Sequence, residues 1–363
     1  MLQNKFYCVI LIANQGEKLM VRRFSHNPLI APDDVKSFDE RFEVVGVFNP
    51  GVTTFGGKTL LLMRVAVRPE ENGIIRVPVF KNGKVTVLEL DKRFDENKDT
   101  RVVTAHGRKY LTSMSYFVPA VSEDGEHFKI MHDGAIYPES HFEEYGVEDP
   151  RITQIGDRYY ITYSTISEYG ICAAMKVTED FKTYDNIGVM LPPDNKDVVL
   201  FPEKINGKYY LLHRPSTSEF GSPELWIAES DNLMQWGNHR RIMGVRKGMW
   251  DSARIGSSGV PFRVKEGWLI VYHGANENNE YCLGAAILNA EKPWEVIGRT
   301  QKPFLKPELP CEKDGFFSNV VFSCGGVKAG DKLKIYYGAA DKYICGCEIS
   351  IEELLSEVKT CRQ

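Results

Sequence analysis

The chain has 363 residues, of which 43% are hydrophobic and 26% charged, with a formal net charge of −4 and a pI near 6.1. This composition is ordinary for a globular domain, and its slightly acidic balance argues against a nucleic-acid or membrane surface, since either would need a basic patch. No apolar run reaches the ~18 residues that a transmembrane helix requires.

The N-terminal part of the chain is predicted to be extended. An apolar run at residues 6–13 is followed by a polar turn and lacks a small-residue cleavage site, which indicates a first strand rather than a signal peptide. Pro28 and Pro32 then disfavour a helix before the first repeat. We take residues 1–41 as the N-terminal strand and extended approach of a single domain that spans residues 1–363.

The eight cysteines are scattered along the chain. None has the spacing to other cysteines or to histidines that a zinc site requires. Reduced thiols are typical of cytosolic proteins. We therefore expect a cytoplasmic location and no bound metal.

From residue 57 onwards the chain repeats one pattern five times. In each copy a turn with Gly or Asp precedes a short strand of aromatic and aliphatic residues, and a second hydrophobic strand leads into the copy. The copies begin at Gly57, Gly156, Gly207, Glu266 and Asp331. Self-similarity at such a period indicates a β-propeller, in which each repeat forms one four-stranded blade.

A weaker copy occupies residues 107–114. It could be a sixth blade or an outer strand of a neighbouring blade, but it lacks the lead-in strand. We therefore predict an all-β, five-bladed β-propeller. The sequence Ser350-Ile-Glu-Glu353 matches a capping box, so a short C-terminal helix is predicted over residues 349–360.

Three basic side chains fall at one position of three repeats. Arg64, Arg214 and His273 each end the aromatic and aliphatic strand of their copy. Because the blades of a propeller surround one axis, we expect these side chains to meet at one mouth of the central funnel. Charged groups there are costly to desolvate without a partner of opposite charge, so the pattern indicates a site for an anion.

Asp149 is the strongest candidate for proton transfer. It precedes Pro150, which favours an extended backbone, and it opens a blade where Asn49 and Pro50 open another. The alternative is an ordinary turn residue. Arg151 could also be an ion-pair partner of Asp149, which would lower the pKa of its carboxyl and weaken it as an acid.

Two further charged residues lie near these strands. Lys196 precedes the strand that leads into the copy ending at Arg214, although a single lysine is most often a solvated surface residue. Asp341 follows the last copy and would add a carboxylate at the rim.

Together these segments resemble the motifs of glycoside hydrolase family 130. The matching segments occur in order from about residue 42 onwards: Phe48-Asn-Pro-Gly, Leu62-Met-Arg-Val, Val147-Glu-Asp-Pro-Arg-Ile, Asn195-Lys-Asp-Val-Val-Leu-Phe-Pro-Glu-Lys, Leu212-His-Arg-Pro, Gly267-Trp-Leu-Ile-Val-Tyr-His-Gly and Tyr336-Tyr-Gly-Ala-Ala-Asp. The resemblance implies a five-bladed β-propeller. It also implies an inverting β-mannoside phosphorylase or, as in fewer members, a β-mannosidase.

The resemblance further implies roles for individual residues. Asp149 would be the general acid, acting through a hydroxyl of the bound mannose. Lys196, Arg214 and His273 would hold phosphate. The substrate sugar would be held by Asn49, Arg64, Arg68, Arg151 and Asp341. The segment Arg254-Ile-Gly-Ser-Ser-Gly-Val-Pro departs from the family pattern, which leaves the acceptor side of the site open.

This set of residues suits phosphorolysis. An inverting hydrolase needs a second carboxylate to activate water, whereas phosphate is already a nucleophilic anion and needs cations to hold it. We predict that inorganic phosphate, with no cofactor, cleaves β-1,2- or β-1,4-linked manno-oligosaccharides to give α-mannose 1-phosphate.

Two alternatives remain at this stage. One is a β-mannosidase of the same family, with Glu203, Glu219 or Glu224 as the base. The other, from a different functional class, is a non-catalytic binding propeller. No nucleic-acid or membrane partner is expected, and the sequence leaves open whether the protein is a homo-oligomer.

Overall fold

The computed structural model describes residues 21–70, 73–90, 101–216 and 219–359. The strand predicted at residues 6–13 lies outside these ranges. Within them the chain is mostly β-structure, and its longer strands form five antiparallel four-stranded units.

Blade 1 is interrupted by a long insertion. The strands up to its end are β1 (Arg22–Arg23), β2 (Phe42–Phe55), β3 (Lys58–Pro69), β4 (Ile75–Lys81), β5 (Lys84–Leu90), β6 (Val102–Ala105), β7 (Arg108–Leu111), β8 (Met114–Ser122) and β9 (Lys129–Ile130). Strands β2, β3, β8 and β9 form the blade, and the hairpins β4–β5 and β6–β7 lie between its second and third strands. The weaker copy at residues 107–114 is therefore part of an inserted hairpin and the start of β8. It is neither a sixth blade nor an outer strand of a neighbour.

Blades 2, 3 and 4 each occupy one continuous stretch of chain. Blade 2 consists of β10 (Val147–Ile155), β11 (Arg158–Ser167), β12 (Gly170–Thr178) and β13 (Asp185–Leu191). Blade 3 consists of β14 (Asn195–Leu200), β15 (Tyr209–Pro215), β16 (Leu225–Ser230) and β17 (Gly237–Met243). Blade 4 consists of β18 (Arg254–Ser257), β19 (Phe262–Val264), β20 (Gly267–Ala275), β21 (Tyr281–Leu288) and β22 (Val296–Arg299), with β18 and β19 sharing the innermost position.

Blade 5 is completed by the N-terminal strand. Its strands β23 (Val321–Ala329), β24 (Lys332–Ala339) and β25 (Tyr343–Ser350) pair in order, and β1 pairs with β25 as the fourth strand. Each blade contacts the next, and β23 forms a parallel bridge with β2 of blade 1. The ring is thus closed, and the predicted five-bladed β-propeller is confirmed.

The described residues include few helices. They are α1 (Pro310–Lys313), α2 (Ile351–Lys359) and single 3-10 turns at Pro32–Asp34, His132–Gly134 and His141–Glu143. Helix α2 is the predicted C-terminal helix, and the N–H of Glu353 donates to the hydroxyl of Ser350 (3.4 Å) at its start. Within the described ranges, no helix combines the length and the apolar character needed to cross a lipid bilayer.

The hydrophobic core lies between the blades. On one face of β20, Leu269 packs with Ile335 of blade 5, whereas on the other face Ile270 packs with Leu212 of blade 3. Successive side chains of a strand point to opposite faces, so a strand covered on both sides needs apolar residues throughout. This two-sided burial explains the continuous apolar strands of the repeat.

A buried carboxylate anchors the closure of the ring. Glu312 of α1 is fully buried and accepts hydrogen bonds from Arg23 of β1 (2.8 and 3.0 Å) and from the hydroxyl of Tyr337 in β24 (2.7 Å). It also accepts the N–H groups of Glu308 and Leu309 (2.7 and 2.9 Å). This side chain joins the N-terminal strand to blade 5 and to the segment that leaves blade 4.

Glu312→Ala is expected to lower the free energy of unfolding by about 3–5 kcal/mol, because Arg23 and Tyr337 lose their buried acceptor. Chemical denaturation followed by circular dichroism measures the change. Glu179→Ala, which breaks an exposed pair with Arg158, is the matched control and should change the free energy by less than about 1 kcal/mol. An equally small effect at Glu312 would show that ring closure does not depend on this carboxylate.

Candidate active site

A cavity of about 490 Å³ opens at the centre of the ring. The innermost strand of every blade contributes to its wall, through Asn49, Asp149, Lys196, Arg254 and Phe322. The wall is therefore shared by all five blades, and residues distant in sequence meet in it.

Three innermost strands carry the same backbone feature. Asn49, Asp149 and Asp197 have positive φ angles of 45°, 53° and 56°, and each lies where its strand has one extra residue relative to its partner. Among residues with a Cβ, Asn and Asp tolerate this left-handed backbone best. A bulge of this kind re-aims its side chain, and here all three residues line the cavity.

Asp149 is held as a carboxylate by its neighbours. Its Oδ1 accepts hydrogen bonds from Nδ2 of Asn49 (2.8 Å) and Nη1 of Arg64 (2.9 Å). Burial alone would raise the pKa of Asp149, but the positive charges of Arg64, Lys196 and Arg151 outweigh burial and hold it below its usual value. A proton donor in this position needs a change in its surroundings before it can keep a proton.

Glu148 joins a cation of blade 1 to a cation of blade 3. One oxygen accepts from Nη2 of Arg64 (2.7 Å) and the other from Nζ of Lys196 (3.1 Å). Burial would raise the pKa of Glu148, but these two cations lower it overall. Glu148 was not predicted as a site residue, because a pairing across blades leaves no local signal in the sequence.

Asp197 is the main residue that the sequence analysis missed. It is 2% exposed, and its Oδ2 lies 3.0 Å from Nη1 of Arg214 and 3.2 Å from Nε2 of His273. Arg214 and His273, together with Arg151, hold the pKa of Asp197 well below its usual value, although burial alone would raise it. Aligning the lead-in strands on Asn49 and Asp149 would have placed Asp197 at the same position.

The predicted site residues divide into three groups. The cavity is lined by Asn49, Arg64, Asp149, Lys196, Arg214 and Asp341. Arg151 and His273 lie behind the wall, 1% and 0% exposed respectively. Arg68 lies away from the cavity, where it donates to the carboxylate of Glu43 (2.7 Å).

His273 is packed beneath the cavity instead of lining it. Burial lowers its pKa, and this outweighs the opposing effect of Asp197. Arg151 donates to Asp197 (2.9 Å) and to three backbone carbonyls, including that of Asp149 (2.8 Å). Both residues are therefore placed to act on a ligand through the side chains in front of them.

Arg254 supplies another cation in the wall. It donates to the hydroxyl of Tyr281 (2.9 Å) and to Oδ1 of Asn279 (3.2 Å), both of which are neutral groups. Among the residues that the structure describes, no carboxylate pairs with Arg254. Its charge therefore stays available for an anion in the cavity. From the sequence, the segment that carries Arg254 stood out only as a departure from the family pattern.

Asp341 differs from the other carboxylates of the wall. Burial raises its pKa to about 6; Arg64 opposes this shift, whereas the negative charges of Asp149 and Glu148 add to it. An acid whose pKa is higher in the folded state binds more protons there than in the unfolded chain. Ionising Asp341 therefore destabilises the fold, and this destabilisation is complete above about pH 6.

Asp341→Asn should remove this pH-dependent destabilisation. We expect the unfolding free energy of the variant, relative to wild type, to rise between about pH 4 and pH 6 and then level off, with a total change of about 3 kcal/mol. Denaturant titrations at several pH values measure it, with Asp331→Asn, an exposed residue outside the cavity, as control. A difference that is flat with pH would rule out this account of Asp341.

The chain matches the model of glycoside hydrolase family 130, described as β-1,4-mannooligosaccharide phosphorylase, over residues 96–360. It is 45% identical over 350 residues to the β-1,2-mannobiose phosphorylase of Listeria innocua, with 93% of this chain and 98% of the relative covered. It is 34% identical over 254 residues to the β-1,4-mannooligosaccharide phosphorylase of Ruminococcus albus, with 66% and 75% covered. A solved structure of the Listeria innocua β-1,2-mannobiose phosphorylase in complex with β-1,2-mannobiose superposes with a TM-score of 0.89 at 43% identity, covering 94% of this chain and 99% of the other. The chain belongs to glycoside hydrolase family 130.

Proposed function

We propose that this protein is an inverting β-mannoside phosphorylase that cleaves β-1,2-linked mannobiose with inorganic phosphate and releases α-mannose 1-phosphate. The observation that carries the proposal is the charge pattern of the cavity. One candidate proton donor, Asp149, faces a wall that carries Lys196, Arg214 and Arg254. The names of the relatives in Listeria innocua and Ruminococcus albus support the phosphorylase activity, and the higher identity to the first favours the β-1,2 linkage.

The cavity is poorly equipped for hydrolysis. An inverting hydrolase needs a second carboxylate, ~6.5–9.5 Å from the acid, to activate water. The candidates for that base lie elsewhere: Glu203 and Glu219 are exposed, Glu224 pairs with Arg241, and none of the three lines the cavity. Within the wall, Glu148 and Asp197 are each held by two or more cations.

Phosphate would enter the cationic part of the wall. Lys196 and Arg214 lie on paired strands of blade 3, and Arg254 lies on the innermost strand of blade 4. Held by these side chains, a phosphate oxygen would attack the anomeric carbon from the face opposite the leaving sugar, which inverts its configuration. Phosphate needs no general base, because it is already an anionic nucleophile.

Asp149 would supply the proton to the leaving sugar through a hydroxyl of the bound mannose. Lys196, which lowers the pKa of Asp149 together with Arg64 and Arg151, is also one of the cations that phosphate would contact. The negative charge of bound phosphate would offset part of their effect and raise the pKa of Asp149 towards that of a working acid. The acid would thus become competent when the nucleophile is in place.

The acceptor sugar would meet a separate wall of the cavity. The insertion in blade 1 contributes Arg101, Val102 and Leu111, and the segment after α1 contributes Phe316 and Phe317. The guanidinium of Arg101 lies 4.7 Å from the ring centre of Phe317, so these two segments meet. Linkage and chain-length preference would depend on them.

Phosphate is proposed as the only co-substrate, with neither metal nor organic cofactor, because Asp149 and the cations cover both proton transfer and nucleophile binding. A cytoplasmic location is proposed on the cysteines: the six in the described residues are free thiols. A homo-oligomer stays an open proposal.

Phosphate dependence tests the proposed function directly. The protein is incubated with β-1,2-mannobiose and with β-1,4-mannobiose, each with and without phosphate, and the products are separated by chromatography and identified by NMR. We expect cleavage of β-1,2-mannobiose in the presence of phosphate, with α-mannose 1-phosphate as product. Equal release of free mannose without phosphate would show that the protein is a hydrolase. Preference for the β-1,4 disaccharide would contradict the proposed β-1,2 specificity.

Asp149→Asn should reduce phosphorolysis of mannobiose by the 10²–10⁴-fold typical of a lost general acid. The amide keeps the size of the side chain but is too weak an acid to transfer a proton to the leaving group. A mannoside of an acidic phenol, whose leaving group needs no proton, should be much less affected. Asp157→Asn, in the exposed turn of the same blade, is the control. Near-normal turnover of mannobiose by Asp149→Asn would remove Asp149 from the mechanism.

A further inference from the structure

Gly256 leaves a space that a carboxylate occupies. It lies on β18 and pairs with His273 of β20. A Cβ at this position would lie 2.1 Å from Oδ2 of Asp197 and 2.7 Å from Nε2 of His273. No side chain fits there unless Asp197 moves. The position of the Asp197 carboxylate therefore requires a glycine at residue 256, within the segment that departs from the family pattern.

Asp197 joins side chains from three blades. Its Oδ2 contacts Arg214 of blade 3 and His273 of blade 4, and its Oδ1 accepts from Nη2 of Arg151 in blade 2 (2.9 Å). All four side chains are largely or fully buried. Of these, Arg214 lines the cavity on the side assigned to phosphate.

Arg151 extends this network to the proton donor. Besides Asp197, it donates to the backbone carbonyl of Asp149 (2.8 Å) and to those of Ser257 and Ser258 (both 3.1 Å). The carbonyl of Asp149 belongs to the bulge that aims its carboxyl into the cavity. A chain of contacts therefore runs from Arg214 through Asp197 and Arg151 to the backbone of Asp149.

We propose that Asp197, seated in the space left by Gly256, is a positioning residue for the phosphorylase reaction. Asp197 orients the guanidinium of Arg214 so that it can bind phosphate. Through Arg151, it also fixes the distance between the bound phosphate and Asp149. The proposal rests on the proposed function. It predicts that disturbing Asp197 impairs the use of phosphate and leaves the binding of mannobiose largely unchanged, because Asn49 and Arg64 do not contact Asp197.

Two different disturbances should give the same result. Asp197→Asn removes the charge at nearly constant shape, so that the amide presents a donor to a cation. Gly256→Ala keeps the charge but displaces the carboxylate. Gly237→Ala is the matched control, since Gly237 is also a strand glycine and an added Cβ there meets no atom within 4 Å.

The readouts are the KM for phosphate, the KM for β-1,2-mannobiose and kcat, together with calorimetric titration of inorganic phosphate into each protein. For Asp197→Asn and Gly256→Ala we expect the KM for phosphate to rise by about tenfold or more, with a matching loss in the titration. The KM for mannobiose should stay within about threefold of wild type. Gly237→Ala should behave as wild type in every measurement.

Two results would overturn the proposal. An equal rise in both KM values would indicate general damage to the site. An unchanged or tighter affinity for phosphate would show that Asp197 is dispensable or competes with phosphate for Arg214. Should either variant fail to fold, as judged by circular dichroism, Arg151→Lys replaces it. This change keeps a cation near Asp197 but loses the carbonyl contacts, and it should shift the KM for phosphate in the same direction.

The proposed function can fail separately. If the wild-type protein cleaves mannobiose without phosphate, the phosphorylase assignment is wrong whatever the variants do. If wild type requires phosphate and the variants show no selective effect, only the role of Asp197 is wrong.

Discussion

The architecture of the site depends on the compensation of charges that the fold withdraws from water. Burying a charged group is costly unless a partner of opposite charge and matching hydrogen bonds accompany it. The cavity meets this requirement with two sets of ions. Glu148 and Asp149 hold Arg64 and Lys196 on one side, and Asp197 holds Arg151, Arg214 and His273 on the other. Because each set contains residues from different blades, the ions also fix how neighbouring blades meet at the axis. The polar centre of the ring is thus a structural element as well as a candidate for chemistry.

The two sets of ions have different jobs in the proposed reaction. The set around Asp149 reaches the cavity on the side proposed for the sugar, where Asn49 and Arg64 contact the candidate acid directly. The set around Asp197 is packed more deeply, and only Asp197 and Arg214 of its members line the cavity. In the proposed reaction, this separation would let the set around Asp149 change its protonation while the set around Asp197 keeps its geometry. Phosphorolysis favours two separate sets of ions, since the nucleophile must be held in line while the acid changes its protonation state.

Much of the fold could be predicted because the sequence repeats it. The strands of the five copies are apolar throughout because both of their faces are buried. These apolar runs allowed the blades to be recognised in the sequence. The sequence of the β6–β7 hairpin resembles a blade strand because it has the same pattern of a turn followed by a strand. Only the missing lead-in strand distinguished this hairpin from a sixth blade. Contacts across blades were harder. Asp197 and Glu148 owe their roles to partners from other blades, which lie up to 84 residues away in the chain. Arg68 was expected in the site only from the family resemblance, yet the ladder of β2 and β3 pairs it with Glu43, away from the cavity.

The bulge shared by the first three blades has an evolutionary consequence. Asn49, Asp149 and Asp197 occupy one backbone position of a repeated unit, and the side chains there differ only in being an amide or a carboxylate. The conformation therefore tolerates either group, whereas the charge at the axis changes with each exchange. In such a propeller, a substitution at the bulge position of one blade can change the chemistry of the cavity while the backbone of the blade stays the same. Such modularity offers a physical route by which one ancestral blade could give rise to a copy with a neutral amide, a copy with the candidate acid and a copy that organises cations.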